Sequence, residues 1–317
     1  ALGLPELRQR IAQHYKDFYG VSIDPARIAI TTGSSAGFLL AFLTAFDVGD
    51  RMALAQPGYP PYFSILSALG VEAVPIDVNA ATHYQPSDRH VDELCAGSGI
   101  DGLLIASPAN PTGSVIGESA LKALVKSCTD HKVRIISDEI YHGLTYGASA
   151  KTILSMTDDA IVINSFSKYF CMTGWRLGWM VLPSDLVRPI ECLAQSFFIS
   201  APTLSQRAAI AAFDDYQEYD QIVSQYARNR EILLDALPKI GLTRFAPADG
   251  AFYLYADVSD LTDNSVAFCE DMLNEIGVAA TPGVDFDRRN GKKFVRFSFA
   301  GSQSDMEVAV ERLTNWR

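Results

Sequence analysis

The chain has 317 residues, 48% hydrophobic and 20% charged, which excludes wholesale disorder; at roughly 100–200 residues per domain it points to two domains. Its 26 Lys and Arg stand against 37 Asp and Glu, and the net charge of −11 argues against nucleic acid or an anionic membrane as the main partner. The longest apolar runs, such as residues 36–46, fall far short of the roughly 20 residues a membrane-spanning helix requires.

The opening Ala1-Leu2-Gly3-Leu4-Pro5-Glu6-Leu7 is already helix-like. Seven short apolar or β-branched runs then read as strands, at 28–31, 52–56, 71–76, 103–107, 133–137, 161–165 and 177–182. Between them lie a nearly all-apolar helix at 36–46, expected to be buried, and an amphipathic helix at 118–130 with Leu121, Leu124, Val125 and Cys128 on one face. This alternation predicts an α/β domain with a mostly parallel, buried sheet. Beyond about residue 205 the pattern changes to a long helix at 216–237, strands at 242–245 and 251–256, a helix at 265–276, a strand at 294–299 and a terminal helix at 304–316. We expect a large domain over 1–230 and a smaller α+β domain over 231–317. The five cysteines, an odd number without CxxC spacing, read as free thiols in a reducing compartment, which places the protein in the cytoplasm. The five histidines form no metal-ligand pattern, and no metal is expected.

In open α/β sheets ligands sit beyond the carboxyl ends of strands, so the residues after each strand carry the functional signal. The first strand leads into Gly33-Ser34-Ser35-Ala36, where free N–H groups and two hydroxyls form an anion cradle, or where a serine merely caps an ordinary helix. The fourth leads into Pro108-Ala109-Asn110-Pro111-Thr112-Gly113; proline and glycine explain the turn but not the asparagine between them. The fifth leads into Asp138-Glu139-Ile140-Tyr141, a pair of acids that by itself reads equally as a helix cap. The sixth leads into Phe166-Ser167-Lys168 and then Thr173-Gly174-Trp175-Arg176-Leu177-Gly178; a lysine between apolar segments fits a solvated surface position poorly.

Taken together and in this order, these segments resemble the class I/II aminotransferases of the pyridoxal-phosphate-dependent fold type I superfamily, the aspartate aminotransferase-like group. The resemblance runs from Gly3-Leu4-Pro5-Glu6-Leu7-Arg8 to Phe294-Val295-Arg296-Phe297-Ser298. It implies a seven-stranded, mostly parallel large-domain sheet with the 177–182 strand antiparallel, plus a smaller α+β C-terminal domain. It also implies pyridoxal 5'-phosphate as cofactor, amino acid and 2-oxo acid substrates, and a homodimer with shared active sites. By the same resemblance Lys168 forms the internal Schiff base and later moves the proton between Cα and C4′, a task that a partly desolvated, cationic pocket favours by lowering the amine's pKa. Asp138 pairs with the pyridine nitrogen, so that the ring draws electrons from the reacting centre. Tyr141 and Asn110 hydrogen-bond the ring O3′. Arg176, Ser165 and Ser34-Ser35-Ala36 hold the phosphate, with Ser167 adding a nearby hydroxyl. Tyr59 matches the aromatic that stacks on the ring, ordinary core packing being its alternative. Arg296, with Asn110 beside the substrate, matches the clamp on the substrate α-carboxylate, a surface arginine on an edge strand being its alternative.

Ser167 stands where fold type I decarboxylases usually have histidine, which disfavours decarboxylation. The Gly174-Trp175-Arg176 motif favours transamination over a carbon–sulfur lyase of the same fold, and the net acidity disfavours the pyridoxal-phosphate-sensing domain of a transcription regulator. No arginine lies within 195–206, between the flanking Arg188 and Arg207, which disfavours a strict aspartate enzyme; Tyr59, Tyr62, Phe197 and Phe198 are candidates for an apolar side-chain pocket. Family members carry an arm before Gly-Leu-Pro-Glu-Leu-Arg, including a tyrosine that reaches the neighbouring subunit's phosphate, and we expect activity to need that segment.

Overall fold

The computed structural model describes residues 1–147 and 149–316. In chain order the first half comprises α1 (Pro5–Tyr19), β1 (Ile28–Thr31), α2 (Ser34–Ala45), β2 (Arg51–Gln56), α3 (Pro60–Leu69), β3 (Glu72–Asp77), α4 (Asp88–Ala96), β4 (Gly102–Ala106), α5 (Glu118–His131) and β5 (Arg134–Asp138). The rest comprises β6 (Ile161–Ser165), β7 (Gly178–Val181), α6 (Val187–Phe198), α7 (Thr203–Ala212), α8 (Tyr216–Ala236), β8 (Tyr253–Asp257), α9 (Ser265–Ile276), β9 (Thr281–Pro282), β10 (Phe294–Ser298) and α10 (Gln303–Trp316).

The seven expected strands form one sheet in the order β1-β7-β6-β5-β4-β2-β3. Strand β7 runs antiparallel to both neighbours, and every other pair in order after it is parallel. The apolar runs are continuous because both faces of the sheet are covered. Ile28, Ile30, Leu103, Ile105 and Trp179 face one core with Leu7, Ile11 and Tyr15 of α1. Ala29, Leu104, Ile136, Ile163 and Met180 face the other with Phe38, Phe42 and Leu66 of α2 and α3. Helix α2 is apolar all round, and six of its residues are buried. A second, antiparallel sheet, β8-β10-β9, packs its Leu254, Ala256, Val295 and Phe297 with Leu233 of α8, Phe268 and Met272 of α9, and Leu313 of α10.

Three sequence-based expectations differ in the structure. The expected strand at 242–245 does not form; Phe245 makes only an isolated bridge to Ala256, because Arg244 turns outward to Asp257 and Asp260 and Pro247 has no N–H for a ladder. The next strand starts at Tyr253 rather than 251, since Ala251 holds a left-handed φ of 58° and donates its N–H to Leu144 O at 2.9 Å. The long helix ends its α-helical turns at Ala236 and tightens into a 3₁₀ turn at Leu237–Ile240, where Pro238 removes a donor. Periodicity does not single out helices α3, α4, α6 and α7 or the two-residue β9; α4, for instance, buries only Val91. No helix among the described residues is long and apolar enough to cross a membrane.

Candidate active site

The loops after β1, β4, β5 and β6 meet at one end of the large sheet. The antiparallel register of β7 draws two of them together: Gly178 pairs with Thr31 of β1 on one side and Ser165 of β6 on the other. Here a cavity of about 300 Å³ opens, lined by Ser34, Ser35, Tyr59, Asn110, Asp138, Tyr141, Ser167, Lys168, Arg176 and Arg296. Ten of the twelve residues singled out from sequence therefore share one cavity, although up to 262 positions separate them in the chain. Ala36 and Ser165 do not line it. Ala36 is turned into the buried face of α2. The Ser165 hydroxyl donates to Leu177 O (3.2 Å) and accepts the Ser167 N–H (3.0 Å), so it braces the lysine loop from beneath.

At one end of the cavity, α2 begins without a side-chain cap, its N-cap being Gly33 and not a serine. Its first N–H groups consequently lack intrahelical partners and carry the positive end of the helix dipole. Gly33 has φ of 78°, and a Cβ there would lie 2.8 Å from Arg176 Nη2, so only glycine admits the guanidinium this close. Arg176 itself is held by a 2.9 Å bond from Nη1 to Thr173 O. Free amides, two hydroxyls and a guanidinium thus form an anion cradle that a phosphate group fits.

In the middle lies Asp138, the last residue of β5. Its Oδ1 accepts the Ile140 N–H at 3.1 Å, and its Oδ2 accepts a hydrogen bond from Tyr62. Burial pushes its carboxyl up to about 6, against the lowering effects of these two bonds and of Lys168. Burial lowers the Lys168 amine below the ordinary lysine value; the Asp138 charge opposes this, while Arg296 and Arg176 add to it. Lys168 Nζ lies 5.5 Å from the centre of the Tyr141 ring and 5.6 Å from that of Phe252. The Tyr141 hydroxyl is 3.0 Å from that of Tyr253, and burial holds it well above its ordinary pKa.

At the far end, alternation along β10 turns Arg296 away from the buried Val295 and Phe297. Its Nη1 donates to Asn110 Oδ1 at 2.8 Å and its Nη2 to Thr281 Oγ1 at 3.2 Å. The guanidinium lies 4.2 Å from the ring centre of Tyr253 and 4.6 Å from that of Phe286, and its Nε is buried without a hydrogen-bond partner among the described residues. Such a flat, aromatic-backed fork suits a carboxylate.

Sequence reasoning missed Tyr253, Thr281 and Phe286 as individual site residues, and it weighed Tyr62 only as pocket wall. The signal for Tyr62 was available: Tyr59 and Tyr62 are three residues apart at the start of α3 and approach edge to face at 5.3 Å. Thr281 and Phe286 had no local signal. Phe197 and Phe198 do not line the cavity, and Phe197 is 54% exposed on α6.

The model of the family aminotransferase class I and II matches residues 2–313, and the chain belongs to that family. It is an aminotransferase; such enzymes act on amino acids and 2-oxo acids, and the family is generally dependent on pyridoxal phosphate. The chain is similar to the valine–pyruvate aminotransferase of Mycobacterium tuberculosis, with 50% identity over all of this chain and 82% of that protein. It is also similar to the (5-formylfuran-3-yl)methyl phosphate transaminase of Methanocaldococcus jannaschii, with 32% identity over 98% of this chain and 80% of that one. Among solved structures, an aminotransferase from Mycobacterium tuberculosis superposes with a TM-score of 0.97 at 50% identity, covering 99% of this chain and 82% of the other. The aspartate aminotransferase from Thermus thermophilus with maleate superposes with a TM-score of 0.91 at 28% identity, over 99% and 82%.

Proposed function

We propose that the 300 Å³ cavity binds pyridoxal 5'-phosphate and serves amino transfer from an L-amino acid to a 2-oxo acid, with Lys168, Asp138 and Tyr141 as catalytic residues. The observation that carries this reading is the shared cavity of a desolvated lysine and a buried carboxylate, closed at opposite ends by Arg176 and Arg296. The uncapped start of α2, with Ser34, Ser35 and Arg176, would hold the phosphate; Ser165 and Ser167 keep the lysine loop in shape behind it. When bound, the cofactor supplies an aldehyde that condenses with amines and a ring that takes up the electron pair released at Cα.

Asp138, ionised at neutral pH, would hold the proton on the ring nitrogen, and the Tyr62 hydroxyl fixes its orientation. Tyr59 would cover one face of the ring, and Tyr141 and Asn110 would donate to the ring oxygen. Lys168, kept neutral more readily by burial and two guanidiniums, would take the proton from the substrate Cα and return it on the cofactor side. Arg296 would hold the α-carboxylate of donor and acceptor in turn, its fork already aligned by Asn110 and Thr281.

Among the described residues lining the cavity, Lys168, Arg176 and Arg296 are the cations, and each has a role above. This favours a substrate with one carboxylate, and the valine–pyruvate relative supports an aliphatic side chain. The exposed apolar Trp175, Phe197, Ile199 and Leu204 support a homodimer, since Trp175 directly precedes Arg176 at the cavity rim. We further propose 1–230 and 231–317 as the two domains, the second carrying Arg296, and the cytoplasm as location. Absorbance spectra test the core of the reading. Wild type with pyridoxal phosphate should develop an imine band that valine or alanine bleaches more efficiently than aspartate. Lys168→Ala should develop none; an equal band in that variant would overturn the assignment of Lys168.

A further inference from the structure

The loop between β9 and β10, both strands of the smaller sheet, reaches across to the end of β2 in the larger one. It is closed on itself where Gly283 and Gly291 touch: a Cβ on Gly283 would lie 2.5 Å from Gly291 O, and one on Gly291 would lie 2.3 Å from Gly283 O. The Asp287 N–H donates to Gly283 O at 2.9 Å, and the Gly291 N–H donates to Asp287 O at 3.0 Å. Inside this closed loop Asp287 Oδ1 accepts the backbone N–H of Arg289 (2.8 Å) and of Asn290 (3.0 Å). The loop is therefore a stiff unit continuous with Thr281, Phe286 and Arg296.

The same carboxylate oxygen, buried at 4% exposure, accepts a third bond of 2.7 Å from Gln56 Nε2, from a residue itself 7% exposed. Gln56 ends β2, where it pairs with Asp77 of β3 and accepts the Val78 N–H at 3.0 Å. Two residues on, the Gly58 N–H donates to Phe286 O at 3.1 Å, and Tyr59 follows at the cavity wall. Phe286 in turn backs the Arg296 guanidinium.

We propose that Gln56 and Asp287 form a positioning link that sets the distance between Arg296 and the cofactor face of the cavity. Neither touches the cavity; both act through residues that do. The link rests on the reading of Arg296 as the carboxylate clamp. Hydrogen bonds to a charged acceptor are strong when buried, and a clamp displaced by an ångström loses much of the benefit of orientation. The exposed pair of Arg289, on the same loop, with Asp77 at the end of β3 (2.7 Å) is screened by water and serves as the contrast.

Gln56→Ala is the informative change, because it leaves both backbone bonds to Asp287 in place. Gln56→Met, of similar length but without a donor, repeats the test with the volume kept. In the cofactor-loaded enzyme either variant should raise KM for the amino donor roughly tenfold, with kcat and cofactor affinity within about twofold. Arg289→Ala should leave all three unchanged. The KM effect of Gln56→Met should vanish in an Arg296→Lys background, since the link acts through that arginine. If Arg296→Lys raises KM but neither Gln56 variant does, the link is overturned and the clamp stands. An undiminished Gln56→Met effect on top of Arg296→Lys overturns the link as well. If Arg296→Lys leaves KM unchanged, the clamp reading falls and the link with it.

Discussion

Asp138 and Glu139 are neighbours at the end of β5, and both are buried: their exposures are 3% and 1%. Burial raises both carboxyls, to about 6 and about 7. Their surroundings differ because consecutive residues leave a strand on opposite sides. Asp138 faces the cavity, with Lys168 beyond it. Glu139 faces the α1 side, where its Oε1 accepts bonds from Ile153 N (2.9 Å), Thr152 Oγ1 (3.2 Å) and Ser137 Oγ (3.2 Å). Its other oxygen is 3.6 Å from His142 Nδ1, which is 2.8 Å from the Tyr19 hydroxyl. Burial drives His142 down to about 3, so near neutral pH it brings no cation. One carboxylate meets cations and space for a ligand; the other meets donors that tie a loop to the sheet. A raised pKa is common to both and does not separate them. The separating feature is what lies opposite.

The largest losses are expected on the cavity side. Lys168→Ala should reduce kcat by about 10⁴-fold or more, and Asp138→Asn by roughly 10²–10⁴-fold, measured in single-turnover half-reactions with a fixed donor. Glu139→Gln should keep kcat within about threefold of wild type; a loss matching that of Asp138→Asn would erase the distinction. Tyr62→Phe removes a bond that lowers the Asp138 pKa, so it should cut kcat by about tenfold and shift the acid limb of the pH–rate profile upward. The stability effect is the reverse in rank. Glu139→Gln should destabilise the fold by about 1–3 kcal/mol in urea titrations, because it disturbs three buried hydrogen bonds.

The smallest effect is a slope. Glu139 titrates near 4.5 when unfolded and about 7 when folded, so between these values the native state binds more protons and stability falls as pH rises. His142 and His14, lowered by burial to about 3 and about 4 from 6.5, act oppositely, and stability rises with pH up to about 6.5. Asp138, raised from 3.8 to about 6, adds to the fall, so that two carboxyls oppose two histidines in the wild type. Glu139→Gln should therefore show a steeper rise in stability between about pH 4.5 and 6.5. An unchanged slope would mean that Glu139 does not titrate in that window.

The seven strands, the burial of α2 and most of the cavity's residues were legible in the amino-acid sequence. Apolar runs, periodicity and the motifs after strand ends are local signals, read from residues a few positions apart. Asp138, Lys168 and Arg176 stand in such motifs, each ambiguous alone; their roles are what the ordered set of motifs, through the family resemblance, implies. The remaining features depend on long-range pairing. The β7 register places Gly178 between Thr31 and Ser165, which turns the Ser165 hydroxyl inward rather than toward the cavity. The partners of Arg296 come from Asn110, 186 positions away, and from a two-residue strand too short to show alternation. Gln56 and Asp287 are 231 positions apart. No local propensity encodes such distances. They arise when two sheets, each satisfying its own apolar faces and backbone bonds, are brought to one geometry by packing, and buried polar groups then find the partners that packing leaves within reach.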